Sequence, residues 1–483
     1  MRKIILLVAV LWAVCIPFIS CVSAGEQQID VAICTHKLSV QISGQDNFVI
    51  SNKLGRELFK SSAKQKGFLN VKNGNLYFNN IALPDDVIIS PQTGEFLEVN
   101  RRVYRGVMRV YLDNENLMFV VNELPLEKYL ESVLPTALAT EYPDAVAKAQ
   151  AVTMRSWAYA RAGKNIYGNY DVQANDYRGH EPLYLGKSSE SEKYSKVLKD
   201  TYGEVAIYNG NVAELLWHID SGGYTESGKN YFGREVPYLL VVKDWHKDNK
   251  EQNVYRWQKE FTATELDVVF EREKYKLGNI LSIKMSKLPK IGQSIMGKED
   301  RTSTGRLKYL EIVGANDKIT MDAEHFARIA GLESTLLGMS VGMPVPSVID
   351  TKVEDAMGNE VELVKIAVNL DQPDGYQLPG TPENVKRIPR TGSEKIVFYG
   401  IGKGHGVGLS LQGAKIMAEQ ALEKKKELSK KAIKVVSKVA EDKKDSASKN
   451  LKLDKKTEIV LDDSYYKDIL AYYFPRTTII KKY

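Results

Sequence analysis

The sequence predicts an α+β protein, on three observations. Residues 25–125 alternate apolar and polar side chains in short runs broken by Gly, Asn and Asp, the signature of strands and hairpins. Helical patterns follow, but without the regular strand–helix rhythm of a parallel sheet. Hydrophobic residues make up 43% and charged residues 27% of the 483, so the chain can bury an ordinary core.

Taken in order, LSVQIS, GFLNVKNGNLYF and RVYLDNENLMFVV read as strands, and Pro125 and Glu127 open a helix through Leu134. A second helix starts near Pro143 and stops at Gly163, residues suited to a helix start and a C-terminal cap. A turn-rich stretch runs to about Gly186. EVAIYNG and VAELLWHI then form a hairpin joined by Asn209-Gly210. ATELDVVFERE and DAEHFARIAG read as helices, and residues 340–393 as a loop excursion. IVFYG is a strand that enters a Gly-rich turn, and SLQGAKIMAEQAL is the helix that leaves it. Residues 419–463 turn rich in Lys and acids, with Leu428, Ala432, Val436 and Val439 as a narrow apolar stripe, which predicts a solvated helical insertion. The expected layout is a leader (1–24), a strand-rich region (25–99), a core (100–418), this insertion, and a C-terminal helix and strand (464–483) that complete the core.

Export is expected. Arg2 and Lys3 precede ILLVAVLWAVCIPFIS, and a small-residue cleavage site follows at Ala24. An uncleaved anchor and lipidation at Cys21 are the alternatives, although Phe18 fits a lipidation site poorly. Cys15 and Cys21 lie in the leader, which leaves Cys34 alone in the mature chain. That excludes a disulfide framework and a multi-cysteine metal site. The net charge of +6 is mild, and no basic stretch interleaved with aromatics points to nucleic acid. No cofactor and no metal are expected.

Three stretches carry candidate chemistry. In AVAKAQAVTMRSWAYAR, Lys148 and Arg155 stand about two turns apart on one face of an Ala-rich helix. In LLWHIDSGGYTES, a strand runs into His218, Asp220, Ser221, Tyr224 and Glu226 around a Gly pair that lets the backbone turn sharply. In GIGKGHGVGLSLQGA, His405 sits between glycines, and Ser410 follows. This is neither a phosphate-binding loop nor a dinucleotide fingerprint, and Ser410 lacks the G-x-S-x-G elbow of a serine hydrolase.

Together these stretches resemble the stage II sporulation protein D family, also called the amidase-enhancer family, over most of residues 100–483. RGVMRVYL with VNELPLEKYLESVLP resembles the family's lead-in. AVAKAQAVTMRSWAYAR is similar to its Ala-rich helix and WHIDSGGYTES to its His-Ser-x-x-Gly-Gly block. GKGHGVGLS and SYYKDILAYYFP resemble its closing turn and final helix. The resemblance implies a groove for peptidoglycan glycan strands, in which Lys148, Arg155 and Tyr224 fall on positions expected to contact the sugar; His218, Ser221, His405 and Ser410 are further substrate-binding candidates. A cell-wall amidase is a candidate partner. In the implied lytic transglycosylase chemistry a single Glu acts as acid and then base, and the sugar's own 6-hydroxyl attacks to leave a 1,6-anhydro end.

The chain departs from that pattern at the acid itself, where it carries Ala137. Activity is therefore expected to be weak or lost. The alternative is an active enzyme using a displaced carboxylate such as Glu141, with Glu226 and Asp220 as further candidates. DVQANDYRGHEPLYLG, where some relatives carry a Cys/His zinc site, has no Cys and only His180, so no such zinc is expected. Leu411-Gln412 departs from the family's Gln-aromatic pair.

Overall fold

A computed structural model describes residues 26–92, 94–138, 142–174, 181–244, 255–290, 298–342, 352–354, 360–362, 384–442 and 460–483. The leader with Cys21, the candidate acid Glu141, and His180 lie outside the described residues.

The chain is α+β. Its N-terminal part pairs a seven-stranded with a six-stranded sheet, and the inward side chains of both belong to one core. Phe48 of the first sheet meets Phe78 of the second edge-on at 5.8 Å. The seven-stranded sheet runs across residues 99 and 100, because Gln28–Lys37 pairs with Met118–Pro125 and Asp86–Pro91 with Val107–Leu112. The strand-rich region therefore shares its core with the helices that follow.

Those helices are α1 (Leu126–Ala137) and α2 (Asp144–Arg161). Pro143 sits at the N-cap of α2, and Gly163 just past its end adopts φ +72°. Every residue from Ala145 to Ala158 in α2 is buried. Its run of alanines lets α1, α3 (Glu192–Asp200), the strand Glu204–Tyr208 and the C-terminal helix pack closely around it. The Asn209-Gly210 turn forms as expected, with φ of 47° and 77°, and joins Glu204–Tyr208 to Asn211–Val212. This second strand is shorter than the sequence suggests, because Trp217–His218 leaves to pair in parallel with Leu409–Ser410.

Between those two short strands a second lobe with its own core is inserted. Its sheets order as Arg256–Phe261, Lys395–Ile401, Leu337–Gly342, and as Lys318–Asp322, Tyr309–Gly314, Ile280–Lys284, Val385–Arg387. A short helix, α4 (Gly228–Phe232), precedes the lobe, and α5 (Ala263–Arg272) and α6 (Ala323–Ala330) belong to it. Thr262 and Glu265 form a reciprocal capping box on α5; Asp322 caps α6, which Gly331 ends in the left-handed region. The loop excursion expected over 340–393 needs correction at both ends. Leu337–Gly342 and Val385–Arg387 are strands of the lobe, and Lys352–Glu354 pairs with Glu360–Glu362.

Helix α7 (Leu411–Asp442) begins in the core, where Leu411, Ala414 and Ala418 are buried, and continues into the expected Lys-rich insertion. There Leu428 is exposed, as a solvated helix requires. Helix α8 (Tyr465–Tyr473) and the strand Thr478–Lys481 return to the core, the strand pairing with Glu204–Tyr208. Among the described residues no helix is long and apolar enough to cross a membrane.

Candidate functional site

A cleft of about 850 Å³ lies between the first core and the second lobe. One wall carries Thr136, Ala137, Glu181 and Leu183, and another carries Trp217, His218, Ile219 and His405. The lobe supplies the third through the start of α6, with Asp322, Glu324 and His325.

Two loops build the histidine wall. The Asp220 N–H donates to the Lys403 carbonyl at 3.1 Å, the Lys403 N–H returns a bond to Asp220 at 2.8 Å, and the Glu226 N–H donates to Gly406 at 2.7 Å. The glycines are required by this approach: at Gly408, with φ +77°, a Cβ would stand 2.2 Å from the Leu216 carbonyl. Arg306, buried in the second lobe, staples both loops, donating to the Gly404 carbonyl at 3.0 Å and to the Ser221 carbonyl at 2.9 Å. No local pattern marks Arg306 in the sequence, since its partners come from two distant loops.

The backbone also sets the two imidazoles. His218 Nδ1 lies 3.2 Å from the Val407 carbonyl, which can only accept, so Nδ1 carries the proton and Nε2 a lone pair. His405 Nδ1 accepts from the Val407 N–H at 3.0 Å, so a neutral His405 carries its proton on Nε2. The rings sit 5.9 Å apart. Burial, reinforced by His405 and Arg306, holds His218 well below the ordinary imidazole value of 6.5. An unfolded chain would bind the proton more readily than the native one. The stability His218 contributes is therefore complete above 6.5 and is lost progressively as pH falls from there toward the native-state value. Urea midpoints measured from pH 7.5 to 5 should fall more steeply for the parent than for folded His218→Gln; parallel curves would show that His218 titrates normally.

Several residues expected at the site are held elsewhere. Arg155 is fully buried, with Nε and Nη2 donating to the two Glu127 oxygens at 2.7 and 3.0 Å, so it cannot touch a sugar and the cationic-face expectation fails for it. Lys148 is also buried, paired with Asp200 at 3.2 Å and Asp463 at 2.6 Å. Small residues along α2 admit other protein elements, and those elements bring the carboxylates. Ser221 is buried and donates to Asp244 at 2.5 Å, which also accepts from Tyr473 at 2.5 Å. Ser410 is buried, and its hydroxyl accepts from the Gly413 N–H at 3.1 Å at the start of α7. Glu226, a candidate acid, is buried off the cleft. It accepts from the Ser227 N–H at 2.7 Å, from Asn230 at 2.8 Å and from the Thr304 hydroxyl. Asp220 likewise is buried and accepts from the Gly222 N–H at 2.8 Å. Tyr224 is half-buried, its backbone bridged to Lys243, and does not line the cleft. Of the expected site residues, the cleft brings together Ala137, His218 and His405.

The family described as stage II sporulation protein matches residues 114–208, which span α1, α2, α3 and the wall that carries Ala137. The stage II sporulation protein D of Bacillus subtilis is 27% identical over 158 residues, covering 30% of this chain and 45% of that protein. Residues 114–208 thus carry a stage II sporulation protein domain. The amidase enhancer of Bacillus subtilis is 23% identical over 209 residues, covering 40% of this chain and 27% of that protein. An uncharacterized protein of Brachyspira hyodysenteriae is 32% identical over 149 residues, or 31% of this chain and 39% of that one. The chain thus spans less than half the length of each of these relatives. The stage II sporulation protein domain supplies the Ala137 wall, whereas His218, His405 and the second lobe lie beyond residue 208.

Among the described residues no three His, Cys, Asp or Glu side chains gather in a metal-binding group.

Proposed function

We propose that this protein is an exported peptidoglycan glycan-strand-binding protein whose lytic transglycosylase activity is weakened by the alanine at position 137. One observation carries the reading. Ala137, at the family's acid position, lines an open cleft with two imidazoles and exposed apolar side chains. Leu183 and Ile219 are 44% and 41% exposed on its walls and offer apolar surface to the faces of sugar rings. A methyl group transfers no proton, and the loss of a positioned acid typically costs about 10²- to 10⁴-fold in rate. The basic, apolar leader supports export to the cell wall or periplasm, with membrane contact only through an uncleaved leader or a lipidated Cys21. The name of the amidase enhancer relative supports a cell-wall amidase as partner.

The test is co-sedimentation with purified, peptide-free glycan strands. The parent should bind, and Leu183→Asp/Ile219→Asp should bind about tenfold more weakly, a loss of roughly 1.4 kcal/mol. Both side chains are exposed, so the variant keeps its fold. A parent that fails to sediment, or a folded double variant that binds as the parent does, overturns the reading.

A further inference from the structure

Four carboxyl side chains line the cleft among the described residues: Glu181, Asp322, Glu324 and Glu333. Three are committed. Glu181 is paired with Arg161 at 3.1 Å and accepts from the Tyr167 hydroxyl at 2.7 Å. Asp322 caps α6 by accepting from the His325 N–H at 3.0 Å. Glu333 is paired with Lys403 at 3.0 Å. Glu324 makes no ion pair among the described residues, and its one hydrogen bond is a long 3.3 Å contact from the Thr335 hydroxyl. A second, independent feature points to a ligand in the same cleft. His218 is 4% exposed and lines the wall, and its Nε2 lone pair has no hydrogen-bond partner among the described residues.

We propose that Glu324, from the second lobe, is the acid of a slow transglycosylation in this cleft, in place of the carboxyl missing at Ala137. The inference rests on the reading of the cleft as a glycan-strand site. The protonated Glu324 carboxyl gives its proton to the bridging oxygen as the C1–oxygen bond breaks. Its carboxylate then takes the proton from the 6-hydroxyl as O6 bonds to C1. No water is consumed, and the carboxyl regains its proton at the end of the cycle. Burial raises the Glu324 carboxyl above the usual value, against the pull of the Arg306 guanidinium and the Thr335 hydroxyl; Asp322 and Glu226 raise it further. Its sequence neighbour His325 is engaged by Tyr275 and Arg328. The group thus holds its proton to higher pH than an ordinary glutamate, as suits an acid.

The experiment measures strand binding and release of 1,6-anhydro ends by mass spectrometry for the full chain, Glu324→Gln and Thr335→Val. The parent should release such ends slowly, at a rate that falls as pH rises through the Glu324 titration. Glu324→Gln should keep binding and lose about 10²-fold or more in rate. Thr335→Val, which removes a hydrogen bond to the charged form, should move the alkaline limb to higher pH; this readout stands even if Glu324→Gln fails to fold. A parent that binds strands but releases no 1,6-anhydro ends overturns the inference and leaves the binding reading standing. So does an active, folded Glu324→Gln, or a Thr335→Val profile that does not move. Absence of binding overturns the binding reading itself.

Discussion

Ala137→Glu is expected to raise the release of 1,6-anhydro ends from peptide-free strands by about 10²- to 10⁴-fold over the parent. Position 137 ends α1, is half-buried and lines the cleft, so the new carboxyl reaches the site without displacing the core. No basic residue occupies the last turn of α1. The negative end of the helix dipole and partial burial therefore both favour the protonated carboxyl, the form that donates. Release of 1,6-anhydro ends should rise while strand binding changes little, because the acid contributes mainly in the transition state. Mass spectrometry of digested strands reads the first quantity and co-sedimentation the second. If Ala137→Glu binds but gains no activity, the cleft has lost more than its acid, and the loss of activity cannot be assigned to position 137 alone.

Arg155→Ala is expected to destabilise the fold by about 3–5 kcal/mol, the usual cost of stranding one partner of a buried ion pair. Glu127, the stranded carboxylate, lies 7% exposed between α1 and α2 and also accepts from the Gly203 N–H at 3.3 Å and the Tyr483 hydroxyl at 2.7 Å. Glu127 thus ties the first core to the C-terminal residue as well as to α2. The double variant Arg155→Met/Glu127→Leu should recover only part of the loss. It removes both charges, but it leaves the Gly203 N–H and the Tyr483 hydroxyl without their acceptor. Urea unfolding measures each step. Strand binding by the folded fraction of Arg155→Ala should equal the parent's, since Arg155 is absent from the cleft walls. Weakened binding at unchanged stability would restore Arg155 to the groove.

What the sequence determined by itself is local. The Asn209-Gly210 turn, the Thr262–Glu265 capping box, the Asp322 cap and the Gly331 stop are decided by contacts within a few residues, so their residue types announce them. The alanine at position 137 is of the same kind, because its side chain has no proton to give wherever it sits. Tertiary structure decided what each polar side chain faces. Lys148 and Arg155 share a helix face in the sequence. Only the packing of Glu127, Asp200 and Asp463 around α2 turns that face from a groove into a core. Ser221, Ser410 and Glu226 sit in conspicuous motifs, yet the fold commits them to Asp244, Gly413 and Thr304. Glu324 and Arg306 carry no local signal, and they reach the cleft or its loops because a whole lobe is inserted between Trp217–His218 and Leu409–Ser410. The physical reason is range. Backbone propensity acts over one turn, whereas burial, desolvation and charge pairing are set by whichever distant segment the topology brings alongside.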